Sequence, residues 1–288
     1  MKYILHVCGP ALFLGSLIVI IGCNSQSAAQ HPGTETIYDA AKVGDLNRIK
    51  QLLASNPALV GGFDNGGNSP LMWASEKGQK AAAQLLVSEG ADVNEKNRDG
   101  FTPLYSAIAG QQKELVEFLL SKRADVDATD ATGLTPLMFG VHTGNSSIVE
   151  LLLSSGAQID AADTLGHTAL IFAAEAGRTD LLRLLVSQGA NVNAVDASGF
   201  SPLHSAAKGG YTEQVEILIN HGANLDAVDL GGFTALHVAA YNDRIGIVQL
   251  LITKGANVAA RDENGDTPLA IAIKRGFREV ADYLREHQ

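Results

Sequence analysis

A triplet of Ser or Thr, then Pro or Ala, then Leu recurs down this chain every 33 residues, and that period limits the fold more than any other feature. Ser69-Pro70-Leu71 is followed by Thr102-Pro103-Leu104, Thr135-Pro136-Leu137, Thr168-Ala169-Leu170, Ser201-Pro202-Leu203, Thr234-Ala235-Leu236 and Thr267-Pro268-Leu269. A second segment keeps the same step, from Gly90-Ala91-Asp92-Val93-Asn94 through Arg123-Ala124-Asp125-Val126-Asp127 to Gly255-Ala256-Asn257-Val258-Ala259. No insertion breaks the register. Such a chain stacks one small unit on the next instead of burying a single central core.

One unit can be read residue by residue. Asp163-Thr164-Leu165-Gly166 has the composition of a turn, and Thr168 then caps a helix. Sister units place Pro at the first helical position, where its missing N–H costs nothing. Ala173 and Ala174 allow close packing, and Gly177 supplies the left-handed residue on which a helix ends. Asp180 to Val186 is apolar at helical spacing and stops at Gly189. Glycine, at 30 residues, exceeds the roughly 20 expected at the usual ~7%, and these turns and helix ends absorb much of the excess.

Turn, helix, turn, helix at this period, with the T-P-L triplet and the G-A-x-V-N segment in phase, resembles the ankyrin repeat family. The resemblance implies an all-α solenoid, gently curved, of about eight units starting near residues 36, 69, 102, 135, 168, 201, 234 and 267. Residues 36–61 have the pattern of an N-terminal cap, stopped at Asn56-Pro57, and Thr267 to Gln288 that of a C-terminal cap with a solvated outer face. His204 and His237 follow the triplet where the family carries a structural, hydrogen-bonding histidine. Gln111, Asp243 and Arg123 stand where sister units have glycine, so strained or shifted turns are expected there, and Gly140 stands where they have alanine, which softens the central helix.

The sequence argues against several kinds of chemistry. With 21 basic and 31 acidic residues the net charge is -10, so nucleic acid is not an expected partner. Gly-x-Ser-x-Gly, the phosphate-binding glycine loops and His-Glu-x-x-His are all absent, and no enzyme activity, metal, cofactor or small-molecule substrate is expected. Asp64, Asp130, Asp163, Asp196, Asp229 and Asp262 recur at one turn position, which suits a hydrogen bond inside the turn. His142, His167 and His221 read as surface residues, and Trp73, sharing its column with Phe139 and Phe172, as a core plug.

Both cysteines, Cys8 and Cys23, lie in the first 23 residues. Lys2 precedes an uncharged stretch, Tyr3 to Gly22, which reads as an export signal. Ile20-Ile21-Gly22-Cys23 resembles the bacterial lipoprotein box, which implies cleavage after residue 22 and a lipid on Cys23. Residues 1–22 are then the signal peptide, 23–35 a lipidated tether, and 36–288 the repeat domain, held at a membrane of the bacterial envelope and facing periplasm or exterior. Two alternatives remain open: cleavage near Gln30, giving a soluble periplasmic or secreted protein, and an uncleaved leader.

In this family the binding surface is the concave face, made of turn tips and the exposed side of the first helices. The residue after each turn glycine reads Asn68, Phe101, Leu134, His167, Phe200, Phe233, Asp266, apolar in the middle and polar at the ends. An aromatic-rich stripe with a polar rim marks a partner site. The expected contact residues are therefore Phe101, Leu134, His167, Phe200 and Phe233, extended by Leu165, Leu230 and Tyr241. The expected function is protein–protein interaction. The alternatives are a protective or inhibitory partner of an envelope enzyme, or a cytoplasmic scaffold if the leader is retained.

Overall fold

The structure, a computed structural model, describes residues 36–288. Cys23, the leader and the tether lie outside the described residues. Eight helix pairs follow one another. The first helices are α1 (Ile37–Val43), α3 (Pro70–Glu76), α5 (Pro103–Ala109), α7 (Pro136–Thr143), α9 (Ala169–Glu175), α11 (Pro202–Gly209), α13 (Ala235–Tyr241) and α15 (Pro268–Arg275). The second helices are α2 (Leu46–Ser55), α4 (Lys80–Ser88), α6 (Lys113–Ser121), α8 (Ser146–Ser154), α10 (Thr179–Ser187), α12 (Thr212–Asn220), α14 (Ile245–Thr253) and α16 (Arg278–Glu286). The fold is an all-α solenoid, as the period predicts. After α2, Asn56-Pro57 leads into a short 3-10 helix, Pro57–Gly61, that the sequence pattern did not announce.

Local chemistry sets the helix ends. The hydroxyl of Thr168 accepts from the backbone N–H of Ile171 at 3.3 Å, and Ser69, Thr135, Ser201, Thr234 and Thr267 cap their helices in the same way. The leucine of each triplet then points into the stack. Leu71, Leu104, Leu137, Leu170, Leu203 and Leu236 are fully buried, as is the column from Leu86 to Leu284 on the second helices. Leu269, in the last of the described units, is only half-buried.

Each first helix packs on its own partner and on the first helix of every adjoining unit, and these contacts are denser than those between successive second helices. Small residues recur at one buried position of the first helices, Ala41, Ala74, Ala107, Gly140, Ala173, Ala206, Ala239 and Ala272, and at Gly140 that position faces the unit's own second helix. Closer spacing on one side of a stack bends it toward that side, so the first helices and turn tips line the concave face. At Gly140 an added Cβ would lie 3.4 Å from Leu152 and Val149 side chains, a tight but ordinary contact with flexible groups.

The turns between units are locked twice. Within the turn, the Asp163 carboxylate accepts from the N–H groups of Leu165 and His167, both at 2.8 Å, and Asp64, Asn97, Asp130, Asp196, Asp229 and Asp262 hold their own turns in the same manner. Between turns, the N–H of Ala197 donates to Leu165 O at 2.8 Å, Leu230 to Ser198 O at 2.8 Å and Glu263 to Gly231 O at 3.0 Å. A second set of rungs runs through the G-A-x-V-N segment: Asn193 Oδ1 accepts from Asn224 N at 2.8 Å, and Asp226 Oδ1 from Asn257 N at 3.0 Å. Gln111, Arg123 and Asp243 do adopt the left-handed conformation that glycine takes in sister units, with φ of 55°, 67° and 55°.

The turn glycine is required for two separate reasons. Gly166 has φ +80°, and a Cβ there would meet Ala197 N at 2.9 Å and the Asp196 backbone at 3.0 Å. Gly265 has φ +79° but faces open space, since no turn follows it. Gly166→Ala is therefore expected to cost about 2 kcal/mol or more, and Gly265→Ala about 1 kcal/mol from backbone strain alone. Thermal or urea unfolding of the two variants checks the order, and equal losses would contradict the close approach of successive turns.

Candidate functional site: the concave groove

Two positions in each unit face one another across the groove, the tip residue and the residue eight further on, at or near the end of the first helix. The pairs differ in chemistry from unit to unit. Asp266 makes an ion pair with Lys274. The Phe233 ring meets Tyr241 edge-on at 6.5 Å, and the Lys208 ammonium lies 6.0 Å from the Phe200 centroid. Glu175 raises the proton affinity of His167 through its charge, and Phe101 is followed by Ala109.

The tip rings are half-buried, not free. Phe200 lies 5.0 Å from His204, Phe233 5.6 Å from His237 and Phe101 5.1 Å from Tyr105, so each rests on the ring four residues further along its own unit. Leu165 and Leu230, on the turns, are exposed at 42% and 71%. Val195 and Val228, just before their turn carboxylates, are equally open and were not singled out from sequence. Tyr241 is half-buried, with the Arg275 guanidinium 4.1 Å from its centroid.

Leu134 and His167 correct the expectation for their column. Leu134 is 7% exposed and belongs to the core, so it is not an open contact residue. His167 is 9% exposed. Its Nδ1 lies 3.1 Å from Asp163 and its Nε2 3.7 Å from Asp196, so it bridges the carboxylates of two consecutive turns. Trp73 is likewise no core plug. It is half-buried, its indole N–H donates to Asp64 Oδ2 at 2.8 Å, and the Lys42 ammonium sits 4.2 Å from its ring. Phe139 of the same column is buried.

His204 and His237 are structural. Nδ1 of His204 accepts from the N–H of Ser201 at 3.2 Å, and its Nε2 reaches Phe233 O at 2.9 Å in the next unit. This arrangement needs the neutral ring with its proton on Nε2. His237 repeats it with Thr234 and Asp266 O. In the same column Tyr105 donates to Ala128 O at 2.9 Å and to Leu134 O. Sequence reasoning missed that equivalence, although Tyr105 follows Thr102-Pro103-Leu104 as His204 follows Ser201-Pro202-Leu203.

Ankyrin family models match the chain in overlapping segments. A model described as three-copy ankyrin repeats matches residues 13–97, 37–130, 82–163 and 142–229, and one described as many-copy ankyrin repeats matches residues 218–272. The chain belongs to the ankyrin repeat family. No curated protein matches it. Ankyrin repeats mediate protein–protein interaction, and proteins built from them are generally non-catalytic scaffolds. Among the described residues, no cluster of three or more His, Asp or Glu side chains could hold a metal ion, and no helix is long and apolar enough to cross a membrane.

The histidines of this ankyrin repeat domain separate by environment. The hydrogen bond to Asp163 holds the His167 pKa above the ordinary 6.5, outweighing its burial. Burial holds His204 and His237 below it, despite their carbonyl partners. The stability contributed by His167 is thus full below pH 6.5 and fades as pH rises through its raised folded value. That contributed by neutral His204 and His237 is full above pH 6.5 and falls as pH drops through their lowered values. NMR titration of the imidazole carbons is expected to place His167 above 6.5 and the other two below; a shared midpoint would overturn the contrast between their environments.

Proposed function

We propose that this protein is exported, is anchored by lipid at Cys23, and holds a protein partner along the concave groove at the surface of a bacterial membrane. The groove carries the reading. Leu165 and Leu230 present large apolar side chains to solvent on turns that the solenoid holds rigidly, beside the half-exposed rings of Phe101, Phe200, Phe233 and Tyr241. Binding then depends on complementarity to a preformed surface, so little ordering cost opposes it. The leader supports the location: an uncharged stretch ending in Gly22-Cys23 suits a thiol acceptor for a diacylglyceryl group. The polar residues that follow, Asn24 to Glu35, suit a tether long enough to free the groove from the lipid surface.

Two measurements test the two halves. Cells fed a palmitate analogue are expected to label the wild-type chain and not Cys23→Ser; equal labelling removes the anchor. For the groove, the double variant Leu165→Glu, Leu230→Glu changes exposed positions and so leaves the fold intact. It is expected to weaken affinity for a partner recovered by crosslinking from envelope membranes by about 10- to 100-fold. An undiminished affinity would place the partner elsewhere on the molecule.

A further inference from the structure

Beside the Phe101 tip the groove opens into a cleft of about 90 Å3 between the second, third and fourth units. Trp73, Phe101 and Phe139 supply rings to its lining, and the two charged residues that line it, Glu76 and Asp99, are both carboxylates. Phe101 lies 6.3 Å from Phe139, and the bond from the indole N–H to Asp64 fixes the Trp73 ring. Small-molecule pockets run to ~300–1,000 Å3, whereas one water needs ~10–15 Å3, so this cleft suits the end of a single side chain.

The third and sixth units explain why the cleft exists. They share a tip phenylalanine and a serine five residues on, Phe101 with Ser106 and Phe200 with Ser205. They differ eight residues on, where the sixth unit has Lys208 and the third has Ala109. In the sixth unit the Lys208 ammonium approaches the Phe200 ring, which fills the place in cis. In the third unit Ala109 offers no cation to Phe101. The neighbouring Trp73 already takes two ammonium groups by its ring, that of Lys42 at 4.2 Å and that of Lys77 at 5.6 Å. Aromatic faces attract cations through their quadrupole, and carboxylates at the rim add charge-assisted hydrogen bonds. Glu76 contacts Lys77 at 2.7 Å, but that pair is partly exposed and an incoming cation can exchange with it at little cost.

We propose that this cleft is a socket for one lysine or arginine side chain of a partner segment lying in the groove, a refinement that rests on the groove being a protein-binding surface. The partner's cation takes in the third unit the place that Lys208 takes in the sixth. Units flanking the socket then select the rest of the segment by their own tip pairs.

Trp73 is the single tryptophan of the chain, so its fluorescence reports directly on the socket. The probe is the peptide acetyl-Gly-Gly-Lys-Gly-Gly-amide at low ionic strength, compared with the same peptide carrying norleucine in place of lysine. The lysine peptide is expected to change Trp73 emission saturably with a Kd on the order of 1 mM, and the norleucine peptide to bind at least about tenfold more weakly. Ala109→Lys supplies the cation in cis and is expected to weaken the lysine peptide about tenfold or more. Phe101→Leu, a change that Leu134 shows the tip column to tolerate, is expected to weaken it severalfold with the melting temperature nearly unchanged. Equal responses to the two peptides, an undiminished response in Ala109→Lys, or no saturation by about 10 mM would each overturn the socket. Because the Leu165, Leu230 variant reads the turns and not the cleft, failure here leaves the groove reading standing, and the two failures are distinguishable.

Discussion

The hydrogen bond that each turn from the fourth unit onward donates to the turn before it sets the register on which the rest of the solenoid depends. Its spacing does not drift: Thr164 N to Thr132 O, Ala197 N to Leu165 O and Leu230 N to Ser198 O all join residues 32 apart. A single insertion would displace every later rung. With the rungs in place, residues separated by 33 occupy equivalent positions, and a column in the sequence becomes a physical row in the solenoid. The alanine row lies buried within the stack, facing the second helix of its own unit at Gly140, the leucine rows fill the space between layers, and the tip row lines the groove. The side-chain rungs from Asn193 and Asp226 repeat the constraint on the far side of each turn.

Much of this was legible because the determinants are local. A cap, a turn carboxylate, a left-handed glycine and an apolar helix face are each specified within a few residues, and repetition removes the ambiguity that one copy would leave. Side-chain direction within a row was less legible. Phe101, Leu134 and His167 share a position, yet the leucine sinks into the core while the histidine is held between Asp163 and Asp196. What decides their fates is the neighbour in the next unit, 29 to 33 residues away, and a column read in isolation does not contain it. Trp73 was misjudged for the same reason, since its partners Asp64 and Lys42 belong to a turn and to the preceding unit. Tyr105 could have been found, because its hydroxyl reaches the carbonyl that the histidines reach and its place after the triplet is the same.

The separation between constant and variable rows is also a separation between stability and recognition. Rows that contact the next unit accept little variation: the triplet leucine is Leu in every unit from the second to the eighth, and the alanine row admits only Ala or Gly. The groove pairs accept almost any chemistry, from ion pair to ring pair to imidazole and carboxylate. A tip residue and the residue eight positions on lie outside the triplet, alanine and leucine rows. Their identity can therefore change while the nearest-neighbour interfaces that hold the solenoid stay as they are.

Departures from the pattern are not spread evenly, and their distribution bears on where the groove does its work. The third unit carries two non-glycine residues in the left-handed region, Gln111 and Arg123, each costing about 1 kcal/mol. Its cap hydroxyl, on Thr102, is buried without a hydrogen-bond partner. At its junction with the second unit, Glu95 stands where the units that follow have alanine, from Ala128 to Ala260. Burial pushes its carboxyl up to about 7, with a Ser69 hydrogen bond opposing and the Asp92 charge assisting. The neutral form is thus favoured in the folded chain, and its stabilising effect is full below the ordinary 4.5 and lost as pH rises through about 7. In a stack of nearest-neighbour interfaces such costs stay where they arise, and here they gather in the third unit and at its junction with the second. A unit under selection for packing alone would shed them by returning to glycine and alanine. Their concentration in the third unit fits a segment whose residues answer to what lies in the groove as well as to the units above and below.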